Sequence, residues 1–137
     1  MNWTLEVVTI PVADQDRALT FYAEGLGFNV DIDHQISDEL RLLQLTPPGS
    51  GCSIHLRMGN DAMPPGSLEG LMLVVPDIHA AHAHLVERGV DAGEVQVFDS
   101  GSVRPSREGD ELDNVGFLFF SDPDGNAWSV QQISARA

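Results

Sequence analysis

The chain has 137 residues, 42% of them hydrophobic, with 7 basic and 21 acidic side chains and a net charge of −14. Residues 1–137 are enough for one compact domain, or two very small half-domains, with a real core. The missing basic stripe argues against nucleic acid and against anionic membrane surfaces as partners. All seven basic residues are arginine, which excludes a lysine Schiff base or a P-loop lysine.

Cys52 is the single cysteine, so no internal disulfide can form. No apolar run approaches the ~20 residues that span a bilayer. The start, Met1-Asn2-Trp3-Thr4, has neither the basic nor the apolar region of a signal peptide. A soluble, cytoplasmic protein is the expectation.

Leu5 to Val12 is rich in β-branched residues and predicts a strand. Asp14 is a good helix N-cap, and Ala18, Leu19, Phe21 and Tyr22 give an apolar helical face that ends at Gly25 and Gly27. Phe28 to Ile36 alternates Phe28, Val30 and Ile32 with Asn29, Asp31 and Asp33, which predicts a half-buried strand. Leu40 to Leu45 and Ser53 to Leu56 predict two more, joined through Thr46-Pro47-Pro48-Gly49-Ser50-Gly51. A first module of about 4–58 is followed by a Pro/Gly-rich linker, 59–67, and a second module of about 68–133.

The second module repeats the order of the first. Leu71 to Val75 predicts a strand, Asp77 caps a helix bearing Ile78, Ala81 and Leu85 that ends at Gly89, and Val95 to Phe98 predicts another strand. Ser100 to Asn114 is a polar loop long enough for a functional flap or a disordered segment. Val12-Ala13-Asp14 matches Val75-Pro76-Asp77, and Glu24 and Glu87 each follow their Asp by ten positions. Pro48-Gly49-Ser50 takes the place of Asp124-Gly125-Asn126. Each half thus has the pattern βαβββ, and one such unit alone cannot bury both sheet faces.

The closing stretch is the most specific. Gly116-Phe117-Leu118-Phe119-Phe120 runs into Ser121-Asp122-Pro123-Asp124-Gly125-Asn126 and then Ala127-Trp128-Ser129-Val130-Gln131. Pro123 fixes φ, Gly125 permits φ > 0, and Asp122, Asp124 and Asn126 can cap backbone groups, so a hairpin is predicted. Asp-Pro-Asp-Gly-Asn after Phe-Phe resembles the closing hairpin of the vicinal oxygen chelate superfamily, which includes glyoxalase I, extradiol dioxygenases and bleomycin resistance proteins. The resemblance covers nearly the whole chain. It implies an α+β fold in which two βαβββ modules form a cupped mixed sheet around a central cavity.

In metal-using members of that superfamily, four positions supply ligands. Two stand seven residues before the Asp that starts each helix, and two stand four residues after each turn glycine. Here they are Val7, Gly70, Ser53 and Ser129. None offers imidazole, carboxylate or thiolate, so no metal and no cofactor are expected. The resemblance places Thr9, Ser53, His55, Phe117, Phe119, Ser129 and Gln131 toward the cavity as candidate ligand-binding residues. His55 is the candidate general base, with Gln131 as its counterpart in the other module. His79, His82 and His84 fall on the second helix and predict a solvated face, and His34 carries no signal of its own. Cys52, aligned with Trp128, predicts an inert buried thiol. The Asp-rich turn lacks the glycine and glutamate positions of an EF-hand. Arg104 and Arg107 predict solvated loop arginines, the alternative being closure on an anion.

The function expected is metal-independent binding of a small apolar molecule, or acid–base chemistry on it. The alternatives are a metal-dependent glyoxalase-type lyase, isomerase or dioxygenase, and a non-catalytic interaction protein. A homodimer is expected, because each half has exposed strands to cover.

Overall fold

The computed structural model describes residues 1–135. Its residues group into two units, Met1–Leu68 with Asp122–Asn126, and Glu69–Ser121 with Ala127 onward. Each carries its own mixed sheet, and the fold is α+β.

The first unit holds β1 (Val7–Val12), α1 (Gln15–Thr20) with a π-helical turn (Phe21–Gly25), β2 (Asn29–Ser37), β3 (Leu40–Thr46) and β4 (Ser53–Met58). The strand order is β1-β4-β3-β2, with β1 and β4 parallel and the other pairs antiparallel. Asp14 sits in extended backbone and accepts the Arg17 N–H at 3.1 Å, capping α1. Strand alternation sends Ile10, Val12, Leu43, Leu45, Ile54 and Leu56 to one face, where they are buried with Ala18, Tyr22 and Phe28. Each such aliphatic side chain stabilises the unit by about 1.5–3 kcal/mol. The opposite face, bearing Thr9, Gln44, His55 and Arg57, stays open.

β2 departs from the expected half-burial. It is the outer strand of its sheet and exposed along its whole length, with Val30, Ile32 and Ile36 at 47%, 37% and 54%. Register shifts between Val30 and Ile32 and between Gln35 and Ser37 break the two-residue period. Alternation identified the strand, but its position in the sheet decides what covers it.

The second unit holds β5 (Leu71–Val75), α2 (Ile78–Glu87), β6 (Gln96–Asp99), β7 (Ser102–Pro105), β8 (Gly116–Ser121) and β9 (Ala127–Gln132), ordered β5-β9-β8-β6-β7. Asp77 accepts the N–H groups of His79 and Ala80 and caps α2. Ile78, Leu85, Val97, Leu118 and Val130 are buried, and Phe120 stacks on Trp128 with ring centroids 6.1 Å apart.

β7 corrects the expected polar flap. It pairs with β6 from Gln96↔Pro105 to Asp99↔Ser102, adding a strand to the βαβββ pattern. Arg104 is not a solvated cation. It donates to Asp99 Oδ2 at 3.1 Å and to both carboxylate oxygens of Asp110, at 2.9 and 3.0 Å. This fork-to-carboxylate geometry clasps the loop from both sides. The Arg104 bonds and the Arg107 N–H at 2.7 Å hold the Asp110 carboxyl down to about 2.

The turn between β8 and β9 does more than reverse the chain. Asp122 Oδ1 accepts three backbone N–H groups, from Asp124, Gly125 and Asn126. Its Oδ2 accepts from Tyr22 Oη and Asn126 Nδ2, each at 2.8 Å. Asn126 also donates to the Pro11 carbonyl and accepts from the Leu68 N–H. Asp124 Oδ1 accepts from the Ala13 N–H and from Arg17. These five residues are therefore structural parts of the first unit.

Candidate ligand-binding site

On the open face of the first unit, Thr9 stands beside His55 on β4, and His55 beside Gln44 on β3. The His55 Nε2 lies 2.8 Å from Gln44 Oε1. Gln44 Nε2 donates to Asp31 Oδ2 at 3.4 Å, and the Thr46 hydroxyl donates to the same oxygen. Thr46 Oγ1 and Ser53 Oγ are 2.6 Å apart. Ser53 is buried and His55 half-buried. Thr9, Ser53 and His55 are thus brought onto one face, joined by Gln44, Thr46 and Asp31, which sequence reasoning missed. The signal for Gln44 and Thr46 was two polar residues two positions apart on β3, and that for Asp31 lay on β2; both are readable only once the strand partners are known. Further along the face, a recess of about 240 Å³ is lined by Thr9, Arg57, Met58, Asn60 and Met63.

On the open face of the second unit, Phe117 stands opposite Gln131, and Phe119 opposite Ser129. The two phenyl rings stack with centroids 6.2 Å apart and planes at 9°. Phe119 is 41% exposed, although a phenyl ring in a sheet usually finds cover. Met72 and Val74, on β5 beside Ser129 and Gln131, are also exposed. A recess of about 370 Å³ is lined by Glu69, Gly70, Leu71, Phe119, Ala127, Trp128 and Ser129. Gln131 Nε2 is engaged by the Asn114 carbonyl at 2.8 Å.

The strand registers correct the internal alignment of the two halves. Thr9 lies five residues before the cap Asp14 and pairs with His55, whereas Met72 lies five before Asp77 and pairs with Ser129. His55 is therefore the counterpart of Ser129, and Arg57 that of Gln131. Gly51, not Gly49, matches Gly125, and Ile54, not Cys52, matches Trp128. The turns differ in length, so counting from the glycine misplaced the strand by two residues. Cys52 precedes β4 as a half-buried free thiol. His79, His82 and His84 lie on α2 and His34 on exposed β2.

The model of the Glyoxalase/Bleomycin resistance protein/Dioxygenase superfamily matches residues 4–130. The chain belongs to this superfamily. Among solved structures, it is similar to TnmS3, an antibiotic binding protein from Streptomyces sp. CB03234, with 34% identity and a TM-score of 0.75 over 97% of this chain and 98% of that one. A member of the same superfamily from Sphaerobacter thermophilus DSM 20745 is 30% identical, with a TM-score of 0.74 over 96% and 98% of the two chains. The uncharacterized protein YetH of Bacillus subtilis (strain 168) is 26% identical over 129 residues, 91% of this chain and 94% of YetH.

Metal-using members of the superfamily hold a divalent ion, and the residues here do not fit one. The corrected register replaces Ser53 by His55, so the ligand positions carry Val7, His55, Gly70 and Ser129, a single imidazole. Among the described residues, no group of three or more His, Cys, Asp or Glu side chains could hold a metal ion. In the same residues, no helix is long and apolar enough to cross a membrane.

Proposed function

We propose that this protein binds a small, largely apolar aromatic molecule without using a metal. The stacked pair of half-buried Phe117 and exposed Phe119, beside Ser129, carries this reading. Such a ledge offers a flat ligand an offset stack worth about 0.5–1.5 kcal/mol beyond the area it buries. Ser129 supplies a hydroxyl at its edge. Thr9, Ser53 and His55 form the polar face of the first unit, and His55 is the group there able to exchange a proton. The likeness to the antibiotic binding protein TnmS3 supports an antibiotic as the ligand, and the phenyl ledge is what argues for an aromatic one. A homodimer remains part of the proposal, with the exposed strand β2 as the element to be covered.

The test begins with mass spectrometry of whatever co-purifies with the native protein. A panel of aromatic antibiotics is then titrated, following tryptophan fluorescence and melting temperature. Saturable one-to-one binding that raises the melting temperature supports the proposal. His55→Ala is expected to weaken it and His84→Ala, on the outer helix, to leave it unchanged. If no compound binds and the protein instead captures a macromolecular partner through the same face, the interaction-protein reading takes its place.

A further inference from the structure

We propose that Asp31 fixes His55 as the Nε2–H tautomer, so that the first unit's open face presents Nδ1 as an acceptor to a ligand bearing an O–H or N–H donor. The Gln44 amide has one accepting oxygen and one donating nitrogen. In the structure its oxygen meets His55 Nε2 at 2.8 Å and its nitrogen meets Asp31 Oδ2 at 3.4 Å. Turning the amide over would set its oxygen against the carboxylate, acceptor against acceptor. An ionised carboxylate cannot donate, so Asp31 selects the observed orientation. Facing an oxygen, His55 Nε2 must then carry the hydrogen.

Thr46 reinforces this arrangement. Its hydroxyl gives its one hydrogen to Asp31 Oδ2. The 2.6 Å contact between Thr46 Oγ1 and Ser53 Oγ must therefore be donated by Ser53. Two donor chains thus converge on Asp31, one from His55 through Gln44 and one from Ser53 through Thr46. What remains for a ligand is the lone pair of His55 Nδ1, which has no partner among the described residues, since Ser53 is buried. That lone pair matches a phenol, alcohol or amine hydrogen and repels a carboxylate or a bare carbonyl. Asp31 touches no ligand in this scheme and acts as a positioning residue. The ligand class rests on the small-molecule reading above, whereas the tautomer does not.

Long-range 15N–1H spectra of the full chain, with His55 assigned by loss of its signals in His55→Ala, read the tautomer directly. The wild type is expected to show a protonated Nε2 and a bare Nδ1 in the neutral ring. In Asp31→Lys the side chain becomes a donor, Gln44 is expected to turn over, and the neutral ring should shift to the Nδ1–H form. In Gln44→Leu the bias should vanish. A wild type in the Nδ1–H form overturns the proposal, as does an Asp31→Lys spectrum identical to wild type. Asp31 is on an exposed outer strand, so its replacement should leave the unit folded.

For the ligand, 2-naphthol and 2-methoxynaphthalene differ only in the donor. Naphthol is expected to bind about tenfold more tightly to the wild type, as one net hydrogen bond would give. That preference should disappear in Asp31→Lys. Equal binding of the two probes to the wild type overturns the acceptor assignment. If neither binds while the tautomer behaves as expected, the aromatic-ligand reading fails and the role of Asp31 stands.

Discussion

Tyr22 donates its hydroxyl to Asp122 Oδ2 at 2.8 Å, a buried bond between residues 100 positions apart. Asp122 accepts five hydrogen bonds in all, so a carboxylate that is 5% exposed is fully satisfied. Removing one donor leaves part of a buried charge without a partner. Tyr22→Phe is expected to lower stability by about 1–3 kcal/mol while keeping the ring's packing. Urea denaturation gives the value, and a change within error of zero would show that the hydroxyl is dispensable.

A second prediction separates backbone conformation from steric room. Gly49 and Gly66 both have positive φ, +84° and +80°. A Cβ at Gly49 meets nothing within 4 Å, whereas one at Gly66 stands 2.0 Å from the Asp124 carbonyl oxygen. Gly49→Ala should cost about 1–2 kcal/mol, the left-handed penalty alone. Gly66→Ala should cost clearly more, because its obstacle is backbone. Equal melting temperatures for the two variants would contradict this.

The closing hairpin was legible in the sequence because Pro123 and Gly125 prescribe a local conformation. The two helices were legible because Asp14 and Asp77 cap them in the same way. The long-range partners of Asp122, Asp124 and Asn126 were not. Each satisfies turn chemistry on its own, and nothing local marks the Pro11 carbonyl or Tyr22 as its second partner. β7 was hidden because Ser102-Val103-Arg104-Pro105 has little strand character; its pairing with β6 and the Arg104 clasp hold it. At the site, His55 and Ser53 were placed on one face by alternation alone. Gln44 and Asp31 needed the register of β3 against β2 and β4, including a shift that no period announces.

A third prediction concerns the phenyl ledge. Phe119 is 41% exposed, so Phe119→Ala should leave stability almost unchanged. It should weaken an aromatic ligand about tenfold, from the lost stack and buried area. Calorimetric titration checks both halves of the statement. Unchanged affinity would move the ligand elsewhere.

The loop clasp gives a pH dependence. The folded Asp110 carboxyl is held at about 2, below its ordinary 3.8, first by the Arg104 bond and then by the Arg107 N–H. A group depressed on folding stabilises the folded state above its unfolded value. That contribution is therefore complete above about pH 4 and is lost as the pH falls toward 2. Amide exchange around residues 99–110 should accelerate in this window, and Asp110→Asn should exchange quickly already at neutral pH. An Asp110 carboxyl resonance that titrates at its ordinary value would refute the clasp.

A further prediction concerns metals. With Val7, His55, Gly70 and Ser129 at the ligand positions, added Zn²⁺ or Mn²⁺ should leave the melting temperature unchanged. One equivalent of tightly held metal in elemental analysis of the native protein would overturn it.

The turn at 122–126 also sets the order in which the protein can be made. The first unit's Leu68 and Ala13 N–H groups find side-chain acceptors in Asn126 and Asp124, and its Pro11 carbonyl takes a second donor from Asn126 beside the Gly66 N–H. A nascent chain that has delivered every strand of that unit must wait on the ribosome until the whole second unit up to β8 has followed. A fragment ending at Leu68 should therefore remain unfolded by NMR, and a peptide spanning the turn, supplied in trans, should rescue it. The repeat reads as a duplication, yet its first copy is no longer a module that recombination could carry off alone.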